Sequence, residues 1–131
     1  MPAGTGEVLE RLKAKGIRAK TIDVPLDDQT TIRAHLFGEP SQNSLLLIHG
    51  SPGDWSAWEN IIANDSVVQN YFVVAVDRPG YGGTRVPGQA TLVRQAEVMA
   101  NLISALPLNN LVIVGHSYGG AVVEQLLVDK P

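Results

Sequence analysis

Residues 111–120, LVIVGHSYGG, decide the fold of this 131-residue chain. Aliphatic residues run straight into the pattern Gly-x-Ser-x-Gly, and a helical period of apolar residues follows at once. A strand-to-helix turn this sharp brings the residues two before and two after its apex close together. Gly115 and Gly119 have no Cβ to clash there, so the pattern predicts Ser117 at a strained apex with its hydroxyl exposed.

Two earlier segments, residues 44–48 and 71–76, are also continuous aliphatic runs. Strands of this composition are buried on both faces, as in a parallel sheet that helices cover. Residues 17–26 and 31–37 read as two further strands, joined by the short polar turn 27–29 as a hairpin.

Helical periods lie between the strands. Residues 7–15 predict a short amphipathic helix that Gly16 ends, and residues 118–129 predict the last one. Asp54 and Thr91 are candidate N-caps of the other two. The expected apolar stripes of these two helices are Trp55, Trp58, Ile61 and Ile62 in the first, and Val93, Ala96, Met99, Ala100, Ile103 and Leu106 in the second.

The alternation of strands and helices predicts the α/β class, with a mostly parallel sheet, an antiparallel N-terminal hairpin and helices on both faces. We expect residues 1–16 to form an N-terminal helical extension and residues 17–131 to form the N-terminal portion of a single domain. No segment of the sequence has the length or composition of a linker.

Composition narrows the function classes. Apolar residues make up 44% and charged residues 18% of the chain, which is typical of a globular protein, and scattered basic residues with a net charge of -3 argue against nucleic-acid partners. The absence of cysteine excludes a cysteine nucleophile and thiolate metal sites. No apolar run reaches the roughly 20 residues of a membrane span. We expect a soluble, cytoplasmic protein without a metal or cofactor.

Two other strand ends carry candidate site residues. Residues 45–53, LLLIHGSPG, form a tight turn that can aim the Ser51 amide at the same point as the Tyr118 amide, which makes an oxyanion hole. The alternative is an ordinary Pro-Gly turn. At the end of residues 71–76, Asp77 could be a catalytic acid, but a structural role is favoured, in which it accepts loop N–H bonds and pairs with Arg78.

Together the motifs His-Gly-x-Pro-Gly, Asp-Arg-Pro-Gly-x-Gly and Gly-His-Ser-x-Gly resemble the α/β-hydrolase superfamily, over residues 17–131. The resemblance implies a sheet with strand order 1-2-4-3-5, Ser117 as the nucleophile, and Ser51 and Tyr118 as donors of the oxyanion-hole amides. It thus implies a serine hydrolase that acts on an ester or related acyl bond of a small molecule.

The chain also departs from that family. The family's acid and histidine follow the nucleophile, whereas fourteen residues follow Ser117 here and none is histidine. His35 is expected at the surface, and His49 and His116 are poorly placed to act as a base. We therefore interpret the sequence as the N-terminal part of an incomplete α/β-hydrolase fold that is inactive as an isolated chain.

Two further points stay open at this stage. Trp55 is a candidate substrate-binding residue, but it could equally be core, as could Trp58 and Tyr118. The alternative function is a non-catalytic truncated fragment, or a subunit that needs another chain to complete fold and triad. The fifth strand would then lie at the sheet edge, where self-association or a partner chain is expected.

Overall fold

The computed structural model describes residues 5–40, 42–51, 53–88 and 90–129, with the side chain of Asp129 excepted. Pro52 of the first loop motif and residues 1–4 of the expected extension lie outside the described residues. No helix within these ranges is long and apolar enough to cross a membrane.

Within the described residues, five strands form one sheet in the order β1-β2-β4-β3-β5, which confirms the predicted topology. β1 pairs with β2, and β2 with β4, in antiparallel fashion, whereas β3 pairs with β4 and with β5 in parallel. The strands are β1 Ala19–Pro25, β2 Thr31–Phe37, β3 Asn43–Ile48, β4 Tyr71–Val76 and β5 Val112–Gly115.

The helices follow the predicted positions, with one addition. They are α1 Thr5–Ala14, a 3-10 turn Trp55–Trp58 that leads into α2 Glu59–Ile62, α3 Asp65–Asn70, α4 Leu92–Ala105 and α5 Tyr118–Asp129. Both predicted caps are confirmed, because Asp54 accepts from the Ser56 amide and Thr91 accepts from the Arg94 amide. The addition is α3, which is short, is capped by Asn64 and was not predicted from the sequence.

Side chains on the two faces of the sheet form two cores, since successive residues of a strand point to opposite sides. One core includes residues of α4 and α5 and comprises Val24, Ile32, Ala34, Leu46, Ile48, Phe72, Val74, Val76, Val98, Met99, Leu102 and Val122. The other includes residues of α1 and the two tryptophans and comprises Val8, Leu12, Ile17, Phe37, Leu45, Leu47, Trp55, Trp58, Ile62, Val73 and Ala75. Helices on both faces are thereby confirmed.

Three expectations about burial are wrong. His35 is buried, with 4% of its surface exposed, because the Trp55 ring stacks on it at 4.4 Å between centroids. Ile61 is exposed, although it was expected to share the buried face of its helix. In α4, Val93 is exposed, and the buried face is formed instead by Gln95, Ala96, Val98, Met99 and Leu102.

The sheet brings the predicted site residues to one edge. Ile48, at the end of β3, lies opposite Val76 of β4 and opposite Gly115 of β5. The loops that follow these three parallel strands therefore begin side by side, with His49, Asp77 and His116 as their first residues. In open α/β sheets, ligands bind outside the carboxyl ends of the strands, so this is where a site is expected.

Candidate active site

Ser117 stands between β5 and α5 with φ of 55°, in the left-handed region. This confirms the predicted unusual backbone conformation, and such a conformation costs a non-glycine residue about 1–3 kcal/mol. Glycines allow the turn to close. A Cβ on Gly115 would overlap the Gly119 carbonyl, and a Cβ on Gly119 would overlap the Ile48 carbonyl of the neighbouring strand. The Ser117 side chain is exposed, as a reactive hydroxyl requires.

The loop after β3 packs directly against this turn. A Cβ placed on Gly50 would lie 3.0 Å from the His116 carbonyl oxygen and 3.2 Å from Ser117 Cβ. Position 50 therefore has to stay small for the two loops to touch. The loop after β3 thus lies beside Ser117, and the prediction that it aims the Ser51 amide at the same point as the Tyr118 amide stays a prediction.

Two backbone amides at this junction have no described partner. In the described ranges, neither the Ser51 amide nor the Tyr118 amide donates a hydrogen bond to another residue. The Tyr118 amide begins α5, where the helix dipole favours negative charge. The next two amides, of Gly119 and Gly120, are occupied, since they donate to the His116 and Ser117 carbonyls at 2.9 Å.

His49 is locked in place by two hydrogen bonds. Its Nε2 lies 3.0 Å from the Arg78 amide, which can only donate, and its Nδ1 lies 2.7 Å from the Gly50 carbonyl, which can only accept. The ring is therefore neutral, with its proton on Nδ1. Burial lowers the pKa of His49, although the Gly50 carbonyl opposes this change. His49 has no free nitrogen to offer Ser117.

The other two histidines do not contact the serine hydroxyl either. His116 is exposed, and its ring meets the Trp58 ring edge-on at 6.4 Å between centroids. His35 belongs to β2, and its Nδ1 lies 3.0 Å from the hydroxyl of Thr21 on the neighbouring strand β1. Across the described part of the chain, no hydrogen bond reaches the Ser117 side chain.

The Asp77 side chain holds the loops after β3 and β4 through hydrogen bonds to their backbone amides. Its carboxylate accepts from the Trp55 and Gly83 amides, at 3.2 Å each, as the favoured structural role predicts. The expected ion pair with Arg78 is wrong. The basic side chain beside it is instead His35, whose Nε2 lies 3.6 Å from the carboxylate. Burial would raise the pKa of Asp77, but the nearby His35 ring and the two amides outweigh it and hold the pKa below its usual value.

Arg78 is the site residue that the sequence analysis missed. The guanidinium, only 1% exposed, donates from Nε to the His49 carbonyl and from Nη1 to Gln95 Oε1, both at 2.7 Å, and from Nη2 to Ser51 Oγ. Its Cζ lies 4.8 Å from the ring centroids of Tyr81 and of Tyr118. The sequence does place an arginine just after a buried strand and before Pro-Gly. It does not show which groups this arginine binds, because its partners are distant in sequence.

We call the turn of residues 115–119, with Ser117 at its apex, the elbow. A cavity of about 190 Å³ opens beside it, next to His116. Trp58 lines it, whereas Trp55, the expected substrate-binding residue, is not among the lining residues and is 1% exposed. The walls are formed by His49, Gly50, Ala57, Trp58, Ile61 and His116. The described residues include no group of three His, Asp or Glu side chains that could hold a metal ion.

The comparisons with known proteins agree with this geometry. A family model described as the alpha/beta hydrolase fold matches residues 43–131. The chain belongs to that family. Over 90 residues it is 38% identical to the dihydrolipoyllysine-residue acetyltransferase component of the acetoin cleaving system of Cupriavidus necator, which covers 67% of this chain and 23% of that protein.

Other relatives are epoxide hydrolases and lipase-like proteins. A soluble epoxide hydrolase of Corynebacterium is 31% identical over 99 residues, which covers 75% of this chain and 34% of that protein. The crystal structure of a candidate lipase from Acinetobacter baumannii AYE superposes with a TM-score of 0.80 at 25% identity, over 100% of this chain and 44% of that one. The chain thus spans about a quarter to a third of the length of these curated relatives.

Proposed function

We propose that this hydrolase-fold chain carries the nucleophile and the oxyanion hole of a serine hydrolase that acts on an ester or related acyl bond. The observation that carries the proposal is Ser117, which is exposed at the apex of a strained turn and touches the loop of Gly50. The two amides without described partners, of Ser51 and Tyr118, flank this contact and are the proposed oxyanion donors.

In the proposed reaction, Ser117 Oγ attacks the carbonyl carbon of the acyl substrate and forms a C–O bond, while the carbonyl electrons move to the oxygen. The Ser51 and Tyr118 amides hold that oxyanion. Its collapse expels the alcohol, which takes up the proton that left Ser117, and water then releases the acid from the acyl-enzyme. Trp58 and its apolar neighbours in the cavity would hold the acyl group.

The residue at the apex bears on the choice of chemistry among the relatives. Several of them are named epoxide hydrolases. The proposal rests on the serine hydroxyl at position 117, whereas aspartate at the apex would suit epoxide or haloalkane substrates. We therefore favour acyl transfer for this chain over epoxide opening.

A second candidate is a chain with the hydrolase fold that does not turn over by itself and needs another chain to supply the base. The occupied nitrogens of His49 and the missing hydrogen bond to the Ser117 hydroxyl, within the described ranges, favour it. Without a base the serine stays protonated and reacts slowly, at the cost of about 10⁶ in kcat in a well-studied protease.

Labelling of the purified 131-residue chain by a fluorophosphonate, with and without added imidazole, tests both candidates. The serine-hydrolase proposal predicts slow labelling that imidazole accelerates and that Ser117→Ala removes, because imidazole supplies the base. Ser56→Ala is the matched control, since the Ser56 hydroxyl donates to Asp54 and is not among the residues that line the cavity, so this variant should label like the wild type. Labelling that is unchanged in Ser117→Ala would contradict the proposal, and fast labelling without imidazole would exclude the second candidate.

A further inference from the structure

Arg78 is buried without a carboxylate partner. By contrast, the arginine side chains that do form ion pairs lie at the surface, among them Arg11 with Glu59 and Arg33 with Asp23. Within the described residues, no carboxylate lies within 4.0 Å of the Arg78 guanidinium, and the adjacent Asp77 is turned toward His35 instead. A buried cation is normally paired, so one that is held only by neutral groups calls for an explanation.

The neutral partners of Arg78 are rigidly placed. Gln95 presents its carbonyl oxygen to the guanidinium because its own amide nitrogen donates to the Ala90 carbonyl at 2.8 Å. Ser51 Oγ also contacts the Tyr81 hydroxyl at 2.9 Å. The guanidinium plane therefore rests in a fixed frame of three acceptors and two aromatic rings.

This frame reaches both proposed oxyanion donors. One fork of the guanidinium holds the β3 loop, through the His49 carbonyl and Ser51 Oγ, and its face lies against the ring of Tyr118 on the elbow helix. A single side chain therefore connects the two loops that carry the two amides. Arginine suits such a task because its donors are planar and fixed relative to one another.

The charge has a second consequence. Burial lowers the pKa of Arg78, so its charged form gains when an anion develops nearby. In the proposed reaction, negative charge develops on the carbonyl oxygen, next to Ser51 and Tyr118. An interaction that strengthens only when this charge forms accelerates the chemical step rather than substrate binding.

We propose that Arg78 is the positioning residue of the oxyanion hole, an inference that rests on the proposed function. The hydrogen bonds of its guanidinium hold the loop of Ser51, and the plane of the guanidinium lies against Tyr118, so that both amides are fixed in place. Its charge, which no carboxylate in the described residues pairs, favours the oxyanion between the two amides. The two contributions are separable by substitution. Arg78→Lys keeps the charge but loses the fork, and Arg78→Met loses both while keeping much of the length. Arg94→Met is the matched control. Arg94 directly precedes Gln95 in the chain, but its guanidinium pairs with the exposed side chain of Glu97.

Amide hydrogen exchange of the intact chain tests the positioning part without requiring activity. In Arg78→Lys and in Arg78→Met, we expect the amides of residues 49–51 and 117–119 to exchange about tenfold faster relative to those of β3 and β4, which report global opening. Arg94→Met should leave this ratio unchanged. If the ratio is unchanged in both Arg78 variants, or all amides accelerate by one common factor, Arg78 is merely structural. Ser51→Ala, which removes one acceptor only, gives the same test if Arg78→Met does not fold.

Binding of phenylboronic acid, followed by ¹¹B NMR, tests the charge. The tetrahedral adduct with a serine is anionic and imitates the oxyanion. We expect affinity to fall about tenfold or more in Arg78→Met and only a few-fold in Arg78→Lys, since electrostatic donors of this kind contribute on that order. The two variants should thus be alike in exchange but different in boronate affinity, a pattern that a loss of folding cannot produce.

Equal boronate affinity in wild type and Arg78→Met would overturn the electrostatic part. Boronate binding that is the same in wild type and Ser117→Ala would instead contradict the proposed function and the electrostatic part with it. The exchange ratios would then still decide whether Arg78 positions the two loops.

Discussion

β3 and β5 are neighbours in one sheet and are both aliphatic, but they are buried very differently. Five of the six residues of β3 are buried, whereas no residue of β5 is, and Val112 is 46% exposed. The helix that follows β5 continues the contrast, with Leu127 59% and Val128 74% exposed. We call β5 and α5 the edge face, and β3 with β4 the covered strands.

An aliphatic composition therefore indicates that a strand can be buried on both faces, but the extent of its burial depends on the strands and helices that pack against it. β3 lies between β4 and β5 and has helices on both sides, whereas β5 is last in the strand order. Ser117 belongs to the edge face, and Ser51 and Arg78 follow the covered strands. The candidate site is therefore built across a junction between a tightly packed and a loosely packed region.

The largest effect on stability is expected from truncating one leucine in each of the two regions. Leu46 on β3 is fully buried, so Leu46→Ala should lower the free energy of unfolding by about 2–5 kcal/mol through lost burial and the cavity left behind. Leu127→Ala on the edge face should change it by less than about 0.5 kcal/mol. Urea unfolding followed by circular dichroism measures both. Equal losses would show that the edge face is covered in solution.

Two adjacent glycines at the start of α5 sharpen the comparison. A Cβ on Gly119 would overlap the Ile48 carbonyl of β3, so Gly119→Ala should destabilise the chain by about 2 kcal/mol or more. A Cβ on Gly120 would lie 3.6 Å from the Gly115 carbonyl oxygen, an ordinary contact, so Gly120→Ala should stabilise by about 0.5–1 kcal/mol through its helix propensity. Similar unfolding midpoints for the two variants would contradict the close packing of the elbow on β3.

The outer edge of β5 pairs with no other described strand, and we propose that the chain self-associates or binds a partner chain there. Val112→Lys should reduce concentration-dependent association in sedimentation velocity, because a charge at a strand edge disfavours strand pairing. Val93→Lys, at an exposed position of α4, is the control. Association that is equal in the wild type and in both variants would place any contact elsewhere.

A smaller effect is expected from pH at the covered strands. The folded-state pKa of His49 lies below its unfolded value, so stability from the neutral ring is present above about pH 6.5 and is lost as pH falls below it. Asp77 adds a further loss below about pH 4, since its folded pKa is also lowered. His49→Asn should flatten the decline in stability between pH 7.5 and 5.5, relative to His116→Asn. A decline that is identical in the two variants would argue against the buried neutral ring.

Much of the fold follows from local sequence patterns. The ends of β4 and α5 match the predictions, because aliphatic runs and glycines act locally, whereas the strand order, which also matches, was implied by the family resemblance. The failures share a different cause. His35 was expected at the surface, and Gln95 was not expected in the buried face of α4, but Trp55 and Arg78 reach them from distant parts of the chain. Polar residues can join the core when a side chain distant in sequence packs on them, as Trp55 does on His35, or hydrogen-bonds to them, as Arg78 does to Gln95.

The candidate site divides in the same way. Ser117 and the glycines around it are predictable, because a strained turn leaves a residue-by-residue pattern. The contact of Gly50 with Ser117 follows from the strand order. The Arg78 frame does not, since its partners His49, Ser51 and Gln95 are 17 to 29 residues away and only the folded sheet brings them together.

A crystal structure of the chain after reaction with a fluorophosphonate tests most directly whether Ser117 is the nucleophile. We expect a covalent bond to Ser117 Oγ, with the phosphoryl oxygen about 2.7–3.1 Å from the amide nitrogens of both Ser51 and Tyr118. An adduct on another residue, or a phosphoryl oxygen that neither amide binds, would contradict this expectation.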